Sequence, residues 1–138
     1  MNYINIDNEY LKVQIARIEQ ALDILRKNQR NLSAAMDTNF STSQYARLGR
    51  IITEYIVIKV AALVDPRRST FSLIHLRNSR VNAVCKKYTK MLNTMTENRK
   101  RAFGHHERNF IQTKEIMQAS DLLDLPLSNF LDEVKKEL

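Results

Sequence analysis

An all-α fold, an up-and-down four-helix bundle with one short additional helix, is predicted for this chain by three observations. Glycine and proline number only two each in 138 residues, so few positions interrupt a helix. Four long segments carry apolar residues at spacings of three and four, the period of one helix face. The one β-branched run that would suit a strand, Ile56-Val57-Ile58, has no apparent partner strand. The length fits a single domain, residues 1–138, able to bury roughly two-thirds of its unfolded surface.

The first helix is expected from Asp7 or Asn8 to Arg30, with Asp7 as N-cap and Leu11, Ile15, Ile18, Leu22 and Leu25 on one face. Asn31 to Asn39 reads as a polar connection, although Leu32, Ala34, Ala35 and Met36 would also suit a longer helix. Ser41, Thr42 and Ser43 offer caps for a second helix reaching about Val64. Its stripe is Leu48, Ile52, Tyr55, Ile56 and Leu63, widened by Ile58, Val60 and Ala62, and it is expected to be the most buried helix. Asp65-Pro66 ends it, because proline disfavours a helical conformation in the preceding residue, and Arg67 and Arg68 follow as a solvated helix end or an RNA contact.

Phe71 to Leu76 reads as a short apolar element, and His75 as a packed or surface histidine. A third helix from Ser79 carries Val81, Val84, Tyr88, Met91 or Leu92, and Met95, with the methionines as core filling. A fourth is expected to begin with Phe110, Ile111, Ile116 and Met117 and to restart at Ser120 or Asp121. Pro126 opens the last helix, whose apolar side is Leu127, Leu131, Val134 and Leu138. That side is still apolar at Leu138, which suggests either a longer natural chain or a docked partner.

Twenty-two basic residues stand against 15 acidic ones, a net charge of +7. Such a field favours nucleic acid or another anionic partner without specifying a sequence. Cys85 is alone, so neither an intrachain disulfide nor a thiolate metal cluster is expected. The N-terminus lacks the basic start and apolar run of a signal peptide, and no segment approaches the roughly 18 apolar residues of a membrane helix. A cytoplasmic protein without membrane association is expected. No glycine-rich phosphate loop, HExxH spacing or Ser/His/Asp ordering occurs.

The functional signal is concentrated in Glu97 to Arg108, which holds four arginines or lysines, two of the three histidines and Gly104. Arginine is a permanently charged, forked donor suited to phosphate, and histidine titrates near neutral pH. Together they can cut a phosphodiester without a metal: the imidazole moves protons, and the guanidinium neutralises charge growing on the phosphate. Only RNA supplies its own nucleophile, the 2′-hydroxyl. On a regular helix Arg101 and His105 share a face, as do Arg99 and His106. Arg99 and His105 diverge by roughly 120° and need Gly104 to bend the backbone, or a second copy across a dimer. The alternative is a basic last turn that suits the helix dipole, with Gly104 as its cap.

This run resembles the signature of the HEPN superfamily, an arginine separated from a histidine by four to six residues. Arg99 with His105 has five residues between them, Arg99 with His106 has six, and Arg101 with His106 has four. The register Arg99, Arg101, Gly104, His105 is similar to the Arg-x-Lys-x-x-Ala-His form of the abortive-infection branch. So is the upstream run Ala61-Ala62-Leu63-Val64-Asp65-Pro66, followed by Thr70-Phe71-Ser72-Leu73-Ile74. Lys100 departs from the superfamily's more usual residue after the arginine. Glu107 or Arg108 stands where some HEPN toxins carry a tyrosine modified by AMP.

The resemblance implies a HEPN-like helical domain and a metal-independent endoribonuclease of toxin–antitoxin or abortive-infection type. RNA would be cleaved by 2′-hydroxyl attack at a cleft between two copies, with a cognate antitoxin as possible partner and no cofactor or metal. The catalytic pair implied is Arg99 and His105, with Arg101 and His106 as the alternate register. Lys86, Lys87, Lys90, Lys100 and Arg108 are the expected RNA contacts. A surface metal on His105, His106 and Glu107 is disfavoured, because neighbouring side chains leave a helix in different directions. The competing readings are a non-catalytic helical RNA-binding or protein-interaction module with a degenerate motif, and a structural dimerisation domain.

Overall fold

A computed structural model describes residues 3–37, 42–104, 106, 108, 111 and 116–138, and these residues are helical with no strand among them. Six α-helices are described: α1 Tyr3–Asp37, α2 Ser43–Leu63, α3 Ser79–Lys87, α4 Thr89–Asn98, α5 Ala119–Asp124 and α6 Leu127–Glu137. A 3₁₀ turn, Leu73–Leu76, precedes α3, and a π-helical turn, Arg99–Phe103, follows α4. The all-α expectation therefore holds for the described residues, with differences in where helices start, stop and bend.

α1 is longer than the sequence pattern indicated. Asp7 lies inside it rather than at its cap, and the expected connection after Arg30 is helical through Asp37. Residues 31–36 include leucine, two alanines and methionine, strong helix formers with no proline or glycine to stop them. Its face of Leu11, Ile15, Ile18, Leu22 and Leu25 is buried, as expected. Full burial of each such aliphatic side chain contributes about 1.5–3 kcal/mol.

α2 is rotated relative to the expected stripe. Ile52, Ile56, Val60 and Leu63 are buried, together with Thr53, Val57 and Ala61. Leu48 and Tyr55 are instead 42% and 39% exposed, with Ile51 at 65% and Ile58 at 42%. The helix packs against α1 on one side and against α4 and the π turn on another, so the buried arc is centred nearer Thr53 and Val57. Gly49 faces α1, where a β-carbon would lie in ordinary contact, 3.4 Å from Asn28 Nδ2. The Asn28 amide in turn donates to the Tyr45 carbonyl at 2.9 Å.

The expected third helix is broken at Tyr88, whose φ of −105° and ψ of 21° separate α3 from α4. Asn78 caps the start of α3, its side chain accepting from the amides of Arg80 and Val81. At the break the Tyr88 ring meets Phe130 edge-on at 5.5 Å, and its hydroxyl donates to Glu133 of α6. The Thr89 hydroxyl donates to the Lys86 carbonyl at 2.7 Å, an acceptor that a backbone amide at the cap also reaches.

The restart expected at Ser120 or Asp121 falls at Ala119, where α5 begins, and Met117 and Gln118 before it are non-helical. Asp121 Oδ2 accepts from the Gln118 amide at 2.6 Å and fixes that start. Phe110 lies outside the described residues. The apolar side of α6 is covered by this chain itself, with Leu127, Phe130, Leu131 and Val134 fully buried, so it presents no open face to a partner. No described helix is long and apolar enough to cross a membrane.

Candidate functional site

The basic run begins on the last turn of α4 and changes helix type at its first arginine. Asn98, the residue before Arg99, is almost completely buried. Its Nδ2 donates to the Thr94 carbonyl at 3.1 Å, and its Oδ1 accepts from the Met117 amide at 2.8 Å. One side chain thus ties the end of α4 to the strand of chain that returns to the core 19 positions later.

From Arg99 the backbone widens into the π turn, closed by the Gly104 amide donating to the Arg99 carbonyl at 2.6 Å. Gly104 is not the left-handed cap of the simple helix-end reading: its φ of −96° is ordinary right-handed backbone. Glycine is needed for space, since a β-carbon there would lie 2.7 Å from the Arg99 carbonyl oxygen. His106 instead adopts the left-handed conformation, φ 52°, which is uncommon for a side-chain-bearing residue. The regular-helix argument that put Arg99 and His106 on one face therefore does not apply, because the helical run ends at Phe103. π turns and left-handed non-glycine residues both recur at functional sites. His105 and Glu107 lie outside the described residues.

The upstream Asp-Pro run and the basic run meet through charge. Asp65 is buried and paired with Arg67, whose Nη2 and Nε donate to Oδ2 at 2.6 and 3.0 Å and whose amide donates to Oδ1 at 2.9 Å. The Arg67 hydrogen bond holds the Asp65 carboxyl below its ordinary range against the opposing effect of burial, and the positive charges of Arg67 and Arg99 add to it. Arg67, expected as a solvated helix end or an RNA contact, is exposed as well as paired with Asp65, and its carbonyl also meets His75 Nε2 at 2.7 Å. Arg99 itself is half-buried, and its Nε is buried with no hydrogen-bond partner.

The other basic residues divide in the same way. Lys87 is committed to Glu133 at 2.6 Å; this contact raises its pKa and, with the Tyr88 hydroxyl, lowers that of Glu133. Arg101 reaches Glu97 at 3.9 Å. Lys86, Lys90, Lys100 and Arg108 are exposed. Lys86 borders an open groove of about 760 Å³ between α3, α4 and the Asp-Pro turn. Cys85 lines the same groove, its thiol pushed up by burial.

Sequence reasoning missed a second cavity, of about 370 Å³. His106 lines it with Phe103 and Met117 from the basic run and its return, and with Arg50 and Glu54 of α2. Arg50 and Glu54 are four residues apart on α2 and so share a face. Among the described residues no side-chain hydrogen bond or ion pair is made by Arg50, Glu54 or His106. Arg99 does not line this cavity; the guanidinium that shares it with His106 is that of Arg50. The only sequence signal for Arg50 was the four-residue spacing to Glu54, too common to single out. Among the described residues no three His, Cys, Asp or Glu side chains converge to hold a metal. No family model, curated protein or solved structure matches the chain.

Proposed function

We propose that this chain is a metal-independent endoribonuclease of the toxin–antitoxin or abortive-infection type, a HEPN-like four-helix bundle acting in the cytoplasm as a homodimer. The observation that supports this reading is the backbone distortion at the motif. The run that resembles the HEPN signature is also where regular helix gives way to a π turn beginning on Arg99 and then to a left-handed His106. In this reading His105 assists deprotonation of the 2′-hydroxyl or protonates the leaving oxygen, and Arg99 neutralises the transferring phosphate. Arg101 and His106 are the alternate pair. The Arg99 Nε is buried without a hydrogen-bond partner, so in this reading the terminal nitrogens of the half-buried guanidinium meet the phosphate.

A second copy is seated, in this proposal, on the exposed apolar stripe Leu48, Ile51, Tyr55 and Ile58 of α2, whose spacing of three, four and three suits helix-on-helix association. Arg50 and Glu54 stand beside Ile51 and Tyr55 in sequence, so the cavity borders such an interface. A cognate antitoxin would cover the same basic surface.

The test is turnover of end-labelled RNA in EDTA by the purified chain. His105→Ala and Arg99→Ala are each expected to lower cleavage by about 10²- to 10⁴-fold, with cyclic phosphate ends on the products of the unaltered protein. Equal activity of His105→Ala, or 3′-hydroxyl ends, would refute the assignment. A non-catalytic RNA-binding or protein-interaction module is favoured by one observation, the Arg99 charge acting on buried Asp65. It makes Arg99 a structural counter-charge and predicts no turnover.

A further inference from the structure

The cavity shared by His106 and Arg50 combines an apolar floor with a cation and a carboxylate that have no partner among the described residues, and this combination selects a ligand. Phe103, Met117 and Ile111 supply flat apolar surface, and Phe103 is half-buried with part of its side chain against the core. Arg50 and Glu54 stand at its rim, both exposed. The volume, about 370 Å³, lies within the range of small-ligand sites, roughly 300–1,000 Å³. A ligand that fits has a planar apolar body, an anionic group for Arg50 and a hydroxyl or N–H donor for Glu54.

We propose that this cavity is a subsite for one unpaired ribonucleotide. The base lies against Phe103, as unstacked bases do on aromatic side chains in single-stranded RNA recognition. Arg50 holds the phosphate by charge-assisted hydrogen bonds. The Glu54 carboxylate accepts from the ribose 2′-hydroxyl, the group that distinguishes RNA from DNA. The proposal rests on the RNA reading above and narrows it to single-stranded RNA, with substrate specificity assigned to α2 rather than to the Glu97–Arg108 run alone.

The experiment titrates the full chain with uridine, cytidine, adenosine and guanosine 5′-monophosphates, with their 2′-deoxy counterparts, and with inorganic phosphate, followed by NMR. Mononucleotides contain no scissile linkage, so binding is read independently of cleavage. Saturable shifts of the Phe103 ring, the Met117 methyl and the His106 ring are expected with at least one ribonucleotide. Affinity is expected to be weakened at least about tenfold by Arg50→Ala and severalfold by the 2′-deoxy change, the latter difference disappearing in Glu54→Ala. No saturable shift below about 10 mM ligand, weaker than about −2.7 kcal/mol on the affinity scale, would overturn the proposal. So would equal shifts with inorganic phosphate alone, or unchanged binding in Arg50→Ala. RNA turnover that Arg50→Ala leaves unaltered would overturn this subsite and leave the ribonuclease reading standing. Binding without any turnover would do the reverse.

Discussion

Two cationic regions of this molecule treat their charge differently. At the end of α2, Arg67 is locked onto buried Asp65 by three hydrogen bonds within 3.0 Å, and at the α3–α6 contact Lys87 is taken by Glu133. Around the cavity below the π turn, Arg50, Glu54 and His106 share a space with no side-chain ion pair or hydrogen bond among the described residues. Paired charge on this protein holds segments in place, and unpaired charge beside apolar surface is available to a ligand. Arg99 belongs to both arrangements, since its charge acts on Asp65 while its Nε has no partner.

The largest expected effect is at the residue where the two arrangements meet. Arg99→Ala lowers RNA cleavage by about 10²-fold or more if its guanidinium serves the phosphate, with the thermal midpoint nearly unchanged; a loss of stability with no turnover to lose would move Arg99 into the paired group. Next comes Asn98→Ala, which strips the Met117 amide of its acceptor inside the core. It is expected to cost about 1–3 kcal/mol in urea unfolding and to weaken nucleotide binding by releasing the cavity's far wall. Gly104→Ala forces a β-carbon onto the Arg99 carbonyl oxygen and is expected to cost a similar amount, about 1–3 kcal/mol, with the π turn relaxing in amide-exchange measurements.

Association is tested by Ile51→Glu together with Ile58→Glu, which places charge on the exposed α2 stripe. The expected outcome is a monomer in light scattering with intact helicity, and an unchanged dimer would remove that face from consideration. The smallest effect concerns pH. Asp65 is depressed in the folded chain, so its contribution to stability is complete above the ordinary carboxylate value of 3.8 and fades as pH falls below it. Asp65→Asn is expected to flatten this acid limb of the thermal midpoint against pH by a few degrees, because Arg67 is mostly solvated and such pairs are screened.

Much of the fold was legible because its cause was local. The Leu11-to-Leu25 face, the stop at Asp65-Pro66 and the start at Ser79 each follow from spacing or caps within a few residues. The errors arose where distant segments decide. Tyr88 breaks a helix that its own sequence would continue, and the reason is an aromatic and acidic partner about 45 positions away on α6. The α2 stripe was misjudged because apolar residues cover both its buried arc and its exposed flank, and periodicity cannot say which side finds a neighbour. At the site, the basic run was conspicuous as composition. Arg50 was not, since nothing within α2 announces that His106 returns to meet it.

The π turn carries one more residue than a regular helix would use between the Arg99 carbonyl and the amide that closes on it. Deleting Lys100 would let the ordinary four-residue count close instead, and every position beyond would swing by about one residue's angular step, roughly 100°. The position of Gly104 over the Arg99 carbonyl is thus held by a single residue of slack, a quantity that lengthens or shortens only in whole steps.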